Sequence, residues 1–61
     1  MFITDVHTSD IDTPTFRSYD KAVRYMKKAT RKGEGTLIES VDGRIEREVI
    51  FFNGKITEVI R

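Results

Sequence analysis

The sequence contains no cysteine and no tryptophan, and only one histidine and one proline in 61 residues. Without cysteine there can be neither disulfides nor thiolate metal sites. The single histidine, His7, cannot make a zinc site alone, and covalent catalysis would need a nucleophile and an orienting group beside it. Asp10 and Asp12 supply two carboxylates in a polar stretch, too few for a dedicated oxygen cage around a metal. Glu39 and Glu58 could be cast as an acid–base couple, but charge pairing with Arg47 explains them better. The expectation is a non-enzyme with no catalytic residue, no metal and no cofactor.

Long apolar runs are missing too. Nothing approaches the ~20 residues of a membrane span, and no basic, apolar and small-residue leader opens the chain. A cytoplasmic protein without a membrane partner is the expectation. Charge of one sign is also lacking, since eleven Lys and Arg oppose ten Asp and Glu. That balance argues against a protein that simply coats nucleic acid.

The last shortage is chain length. A domain of this size buries only about 60% of the surface its unfolded chain exposes, and its core is marginal. Such domains lean on disulfides, a metal or a partner subunit. With the first two excluded, idealised packing or oligomerisation remains.

What is present divides into recognisable segments within a single domain, residues 1–61. Phe2–His7 is rich in aromatic and β-branched residues and predicts a short strand. Thr8–Thr15, with Ser, Asp, Thr and Pro, predicts a loop. A helix is expected from Phe16 to Lys32, with Ser18 as N-cap, Asp20 in the first turn and Gly33 just past the end. Phe16, Tyr19, Val23, Met26 and Thr30, flanked by Ala22 and Ala29, recur at helical spacing as one apolar stripe.

Three strands follow, Thr36–Val41, Ile45–Phe52 and Lys55–Ile60, separated by the turn signals Asp42-Gly43 and Asn53-Gly54. A two-residue turn at Asn53-Gly54 sets Phe52 opposite Lys55 and Phe51 opposite Ile56. At Asp42-Gly43 a two-residue turn would set Val41 beside Arg44 and Leu37 beside Glu48. A three-residue loop is favoured there, because register follows the buried face. Leu37, Val41, Ile45, Val49, Phe51, Ile56 and Ile60 then line the face under the helix, with Glu39 and Arg47 close together. The architecture expected is α+β in the order β-α-β-β-β: one amphipathic helix on a mostly antiparallel four-stranded sheet. The N-terminal strand enters as an edge or a parallel neighbour.

Two surfaces offer contacts. Arg17, Lys21, Arg24, Lys28, Arg31 and Lys32 gather on the helix opposite its apolar stripe, and several are like-charge neighbours four residues apart. That face suits an anion or a nucleic acid backbone. On the sheet, Ile38, Ile50, Phe52 and Val59 are expected on the side away from the helix, as a partner interface. A solvated sheet face is normally plainly polar. The expected function is a small regulatory binding module, accessory or inhibitor-like and of a kind frequent among phage and mobile-element genes. It acts by protein–protein contact, as a homodimer or on a protein partner. Nucleic-acid binding through the basic helix is the alternative.

Overall fold

The computed structural model describes residues 1–7 and 14–61. Five strands and one helix are found among them: β1 (Phe2–Val6), β2 (Thr15–Phe16), α1 (Tyr19–Ala29), β3 (Glu34–Val41), β4 (Arg44–Phe52) and β5 (Lys55–Ile60). The strands form one antiparallel sheet in the order β2-β1-β3-β4-β5, with α1 packed on one face.

The α+β class and the single helix agree with the sequence reading, whereas the strand count and topology do not. β2 is an additional strand, where a loop and the start of the helix were expected. It lies antiparallel on β1 and reverses the chain before the helix begins. With that extra reversal β3 comes in antiparallel to β1, so β1 lies between β2 and β3 and is neither an edge nor a parallel neighbour.

The helix is shorter than its periodicity suggests. Ser18 is the N-cap, in extended conformation, and its side chain accepts from the Lys21 amide at a long 3.5 Å. Asp20 occupies the first turn, and Lys27 and Lys28 the last, each complementing the helix dipole. The helix stops at Thr30, whose hydroxyl donates to the Met26 carbonyl at 2.7 Å and whose side chain is wholly buried. The Met26 carbonyl also accepts the Thr30 amide at 2.9 Å, so it takes two donors from this one residue. Gly33, expected just past the helix end, has no positive φ; the positive-φ glycines are Gly43 and Gly54.

The core is Val6, Ala22, Met26, Leu37, Val49 and Phe51, with Phe2, Phe16, Tyr19, Val23, Tyr25 and Ala29 packed around it. Edge-to-face contact of Phe2 with Tyr19 and a tilted contact of Phe16 with Tyr25 bind β1 and β2 to the helix. Gly35 lets the helix come down on β3. A Cβ there would stand 2.7 Å from the Met26 methyl and 2.8 Å from both Thr30 Cγ2 and the Asp5 carbonyl oxygen.

Both hairpin turns have two residues, and all four turn residues, Asp42, Gly43, Asn53 and Gly54, have positive φ, the signature of type I′. At Asn53-Gly54 the expected pairs Phe52–Lys55 and Phe51–Ile56 form. At Asp42-Gly43 the favoured three-residue loop does not occur, and Val41 pairs with Arg44. The register is rescued by a β-bulge: Ser40 pairs with Ile45 and Glu39 with Arg47, leaving Glu46 as the extra residue. Beyond it Leu37 faces Val49, and the odd residues share the helix side as the buried pattern requires.

A second bulge lies in β5. Ile50 pairs with Glu58 and Phe51 with Ile56, so Thr57 is the extra residue, and its hydroxyl donates to the Ile50 carbonyl at 3.3 Å. The two bulges exchange faces for three residues. Ile45 and Ile60, expected under the helix, lie on the opposite face, across from Ser40 and Glu48. Val59, expected on the far face, lies on the helix side across from Val49.

Candidate contact surface

Because Cα partners on antiparallel strands share a face, the ladder pairs map the sheet side opposite the helix. Alternation with the buried Val49 and Phe51 places Glu48, Ile50 and Phe52 there. Ile38 and Ile3 follow through their pairing with Glu48 and with each other, and Thr36 and Asp5 through Ile50. Of the four residues expected at a partner interface, Ile38, Ile50 and Phe52 therefore sit together, and Val59 lies on the other side. Sequence reasoning missed Ile3, Ile45 and Ile60 on this side. Alternation along Phe2–His7 could have signalled the first, and the bulges hid the other two.

No described element covers this face. Phe52 is 51% exposed and Ile45 64% exposed, while Ile3 and Ile60 are also open to solvent and Ile38 and Ile50 are half-buried. Phe52 stands beside the fully buried Phe51, so one residue along the chain separates the core from bare surface.

The polar groups on the same face are mostly acidic. Glu34 and Lys55 flank Phe52, Glu58 pairs across from Ile50, and Glu48 and Asp5 neighbour the isoleucines. His7 lies between two of these acids, Nε2 at 3.8 Å from an Asp5 carboxylate oxygen and Nδ1 at 3.9 Å from one of Glu34. Its amide donates to the Glu34 carbonyl at 3.0 Å, fixing it at the end of β1.

The helix is mostly basic on its exposed side: Lys21, Arg24 and Lys28 are exposed there, as are Lys27, which the sequence reading left out, and the acid Asp20. Arg17, Arg31 and Lys32, expected on the helix, are exposed beyond its ends. None of the seven cations pairs with an acid among the described residues.

A polar concavity of about 530 Å³, wide open to solvent, is lined by Glu39, Glu46, Arg47 and Arg61. Within it Arg47 Nε lies 3.2 Å from Glu39 Oε1, near enough for an ion pair but without hydrogen-bond alignment, and the guanidinium rests 4.4 Å from the Tyr19 ring centre. The Glu39–Arg47 proximity expected from the sequence is present. Glu58 does not join it, being across from Ile50 on the other face. Opposed charges in a shallow basin tie the start of the helix to the sheet.

Among the described residues no group of three His, Cys, Asp or Glu is placed to hold a metal ion, and Asp10 and Asp12 lie outside them. No helix among the described residues is long and apolar enough to cross a membrane.

No protein-family model matches this chain, and neither does any curated protein or solved structure. Its surfaces therefore carry the functional argument.

Proposed function

We propose that the chain is a non-catalytic binding module that works by protein–protein contact through the sheet face opposite its helix. One observation carries this reading: Ile3, Ile38, Ile50 and Phe52 form a contiguous apolar group on a face that no described element covers. Scattered exposed apolar residues are ordinary, but a contiguous patch rimmed by charge marks a contact site. The small core supports the same reading, because a partner would supply burial that the chain cannot. A second copy, giving the homodimer expected from chain size, or a different protein can fill such a face.

Site-directed photo-cross-linking in the producing cell tests this. A benzoylphenylalanine at position 52 should give a discrete protein adduct, and one at the exposed position 28 should give none. An adduct at twice the chain's mass identifies a second copy. No adduct from position 52, or the same adducts from both positions, would overturn the reading.

A second reading rests on cations with no acidic partner among the described residues, Lys21, Arg24, Lys27 and Lys28 on the helix and Arg17, Arg31 and Lys32 beyond its ends, which suit a phosphate backbone. Under it, retention on duplex DNA falls steeply with added salt and falls again in Lys28→Glu/Arg31→Glu. Absence of retention at low salt removes it.

A further inference from the structure

The open face is organised, and its organisation specifies the chemistry of what it holds. In ladder order, Phe52 and Ile50 lie two apart on β4, Ile38 sits diagonally beside them on β3, and Ile3 pairs with Ile38 on β1. These four side chains make one apolar band running obliquely across three strands. At a strand spacing of about 4.8 Å and a rise of about 3.3 Å per residue, the band is roughly 17 Å long. Acids stand on both flanks. Glu34 and Asp5 lie to one side, and Glu48 and Glu58 to the other. Lys55, next to Phe52, and His7, between Asp5 and Glu34, interrupt the acids.

From this arrangement we infer that the face receives a cationic amphipathic helix of another protein, about three turns long, its apolar ridge on the band and Lys or Arg along both borders. This deepens the proposed function and rests on it. Charge complementarity chooses the occupant. A helix about 10 Å across, rising 1.5 Å per residue, covers the band in roughly eleven residues and brings its flanking positions over the two acidic rows. The thirty residues of the five strands, at about 4.8 by 3.3 Å each, make a face on the order of 480 Å². The helix footprint of about 10 by 17 Å takes roughly a third of it, the size of a weak, transient contact.

The same charges disfavour the other occupants. Two copies stacked face to face would bring together two faces that each carry Asp5, Glu34, Glu48 and Glu58, a contact between surfaces of like charge. The chain's own helix is mostly basic on its exposed side, but its exposed positions, Asp20, Lys21, Arg24, Lys27 and Lys28, offer no apolar ridge to lie on the band. Anionic membranes and nucleic acids are repelled by this face.

The test uses the full chain and two designed fourteen-residue helical peptides with the same leucine ridge, one bordered by lysine and the other by glutamate. Binding is read by fluorescence anisotropy, and amide chemical shifts locate the bound peptide. The lysine peptide is expected to bind at least tenfold more tightly than the glutamate peptide, with shifts at Ile3, Ile38, Ile50 and Phe52. Glu48→Lys/Glu58→Lys and Ile50→Ser should each weaken it tenfold or more in protein that keeps its circular dichroism spectrum.

Equal affinity for the two peptides overturns the inference, as does absence of binding up to about 1 mM. So do shifts confined to the Glu39–Glu46 concavity. A dimer at tens of micromolar that Phe52→Lys dissociates also overturns it, by naming a second copy as occupant. Cross-linking from position 52 to another protein alongside such a peptide result would leave the binding module standing and remove only the cationic helix.

Discussion

β3 and β5 have similar strand chemistry but different surroundings. Along β3 the odd positions Gly35 and Leu37 are buried beneath the helix, with Glu39 half-buried, and Thr36, Ile38 and Ser40 on the far side are half-buried. Along β5 all six residues are exposed, including Ile56 and Val59, which face the helix side. The cause is geometric. An eleven-residue helix is only about 16 Å long and 10 Å wide. It lies mainly over β2, β1 and β3, and β5 is outside its main contacts. Burial in this molecule is decided by what stands above a strand, more than by how apolar the strand is.

The sharpest way to break that comparison is at the β4 boundary. Phe51→Ala should cost about 3–5 kcal/mol, enough to unfold much of a domain this small. Phe52→Ala should stay within about 0.5 kcal/mol in the isolated chain. Urea denaturation of the pair checks this, and equal losses would mean that Phe52 is buried in solution. Next in size is the helix–sheet contact. Gly35→Ala puts a methyl into the Met26 side chain and the Asp5 carbonyl, and should cost about 1–3 kcal/mol in the same assay.

The turns sharpen the contrast further. Gly43 and Gly54 share φ +79°, so alanine strains both backbones, by roughly 1 kcal/mol. A Cβ at position 54 would also stand 3.0 Å from the Lys27 carbonyl oxygen, while one at position 43 meets nothing, and Gly54→Ala should therefore lower the melting temperature more than Gly43→Ala. The smallest expected effect is kinetic. Hydrogen exchange at the amides of β5 should precede that of β3, since opening an uncovered edge exposes little new apolar surface. Simultaneous exchange would show that the sheet opens as one unit.

The residues revealed much of this fold. Ser18 read as an N-cap because its hydroxyl can serve a free amide, and Asn53-Gly54 as a tight turn because both positions tolerate positive φ. The stripe through Ala22, Met26 and Thr30 marked the buried side of the helix. The bulges were not legible, because Glu46 and Thr57 are ordinary strand residues and nothing in either marks it as the one left over. Each slips the register by one, and a slip of one turns a side chain over. That is why Ile45, Val59 and Ile60 were assigned to the wrong sides, while Ile38, Ile50 and Phe52, on the near side of both bulges, were grouped correctly. β2 was hidden by its brevity, since two residues carry no periodicity. The candidate surface was half legible: its apolar members stand out in the strand pattern. Its acidic borders become visible only when β1, β3 and β5 are laid side by side.

The extra residue Thr57 has one more consequence. Among the described residues nothing pairs with the outer rim of β5, where Ile56, Val59 and Ile60 are exposed, and another strand can add to an edge of that kind. A growing stack needs an unbroken two-residue rhythm of donors and acceptors, and here the beat is lost midway, with Lys55 guarding one end. An incoming copy could match only a few rungs before falling out of step. The kink that misdirects a reader of the sequence thus also interrupts the edge along which another copy would add.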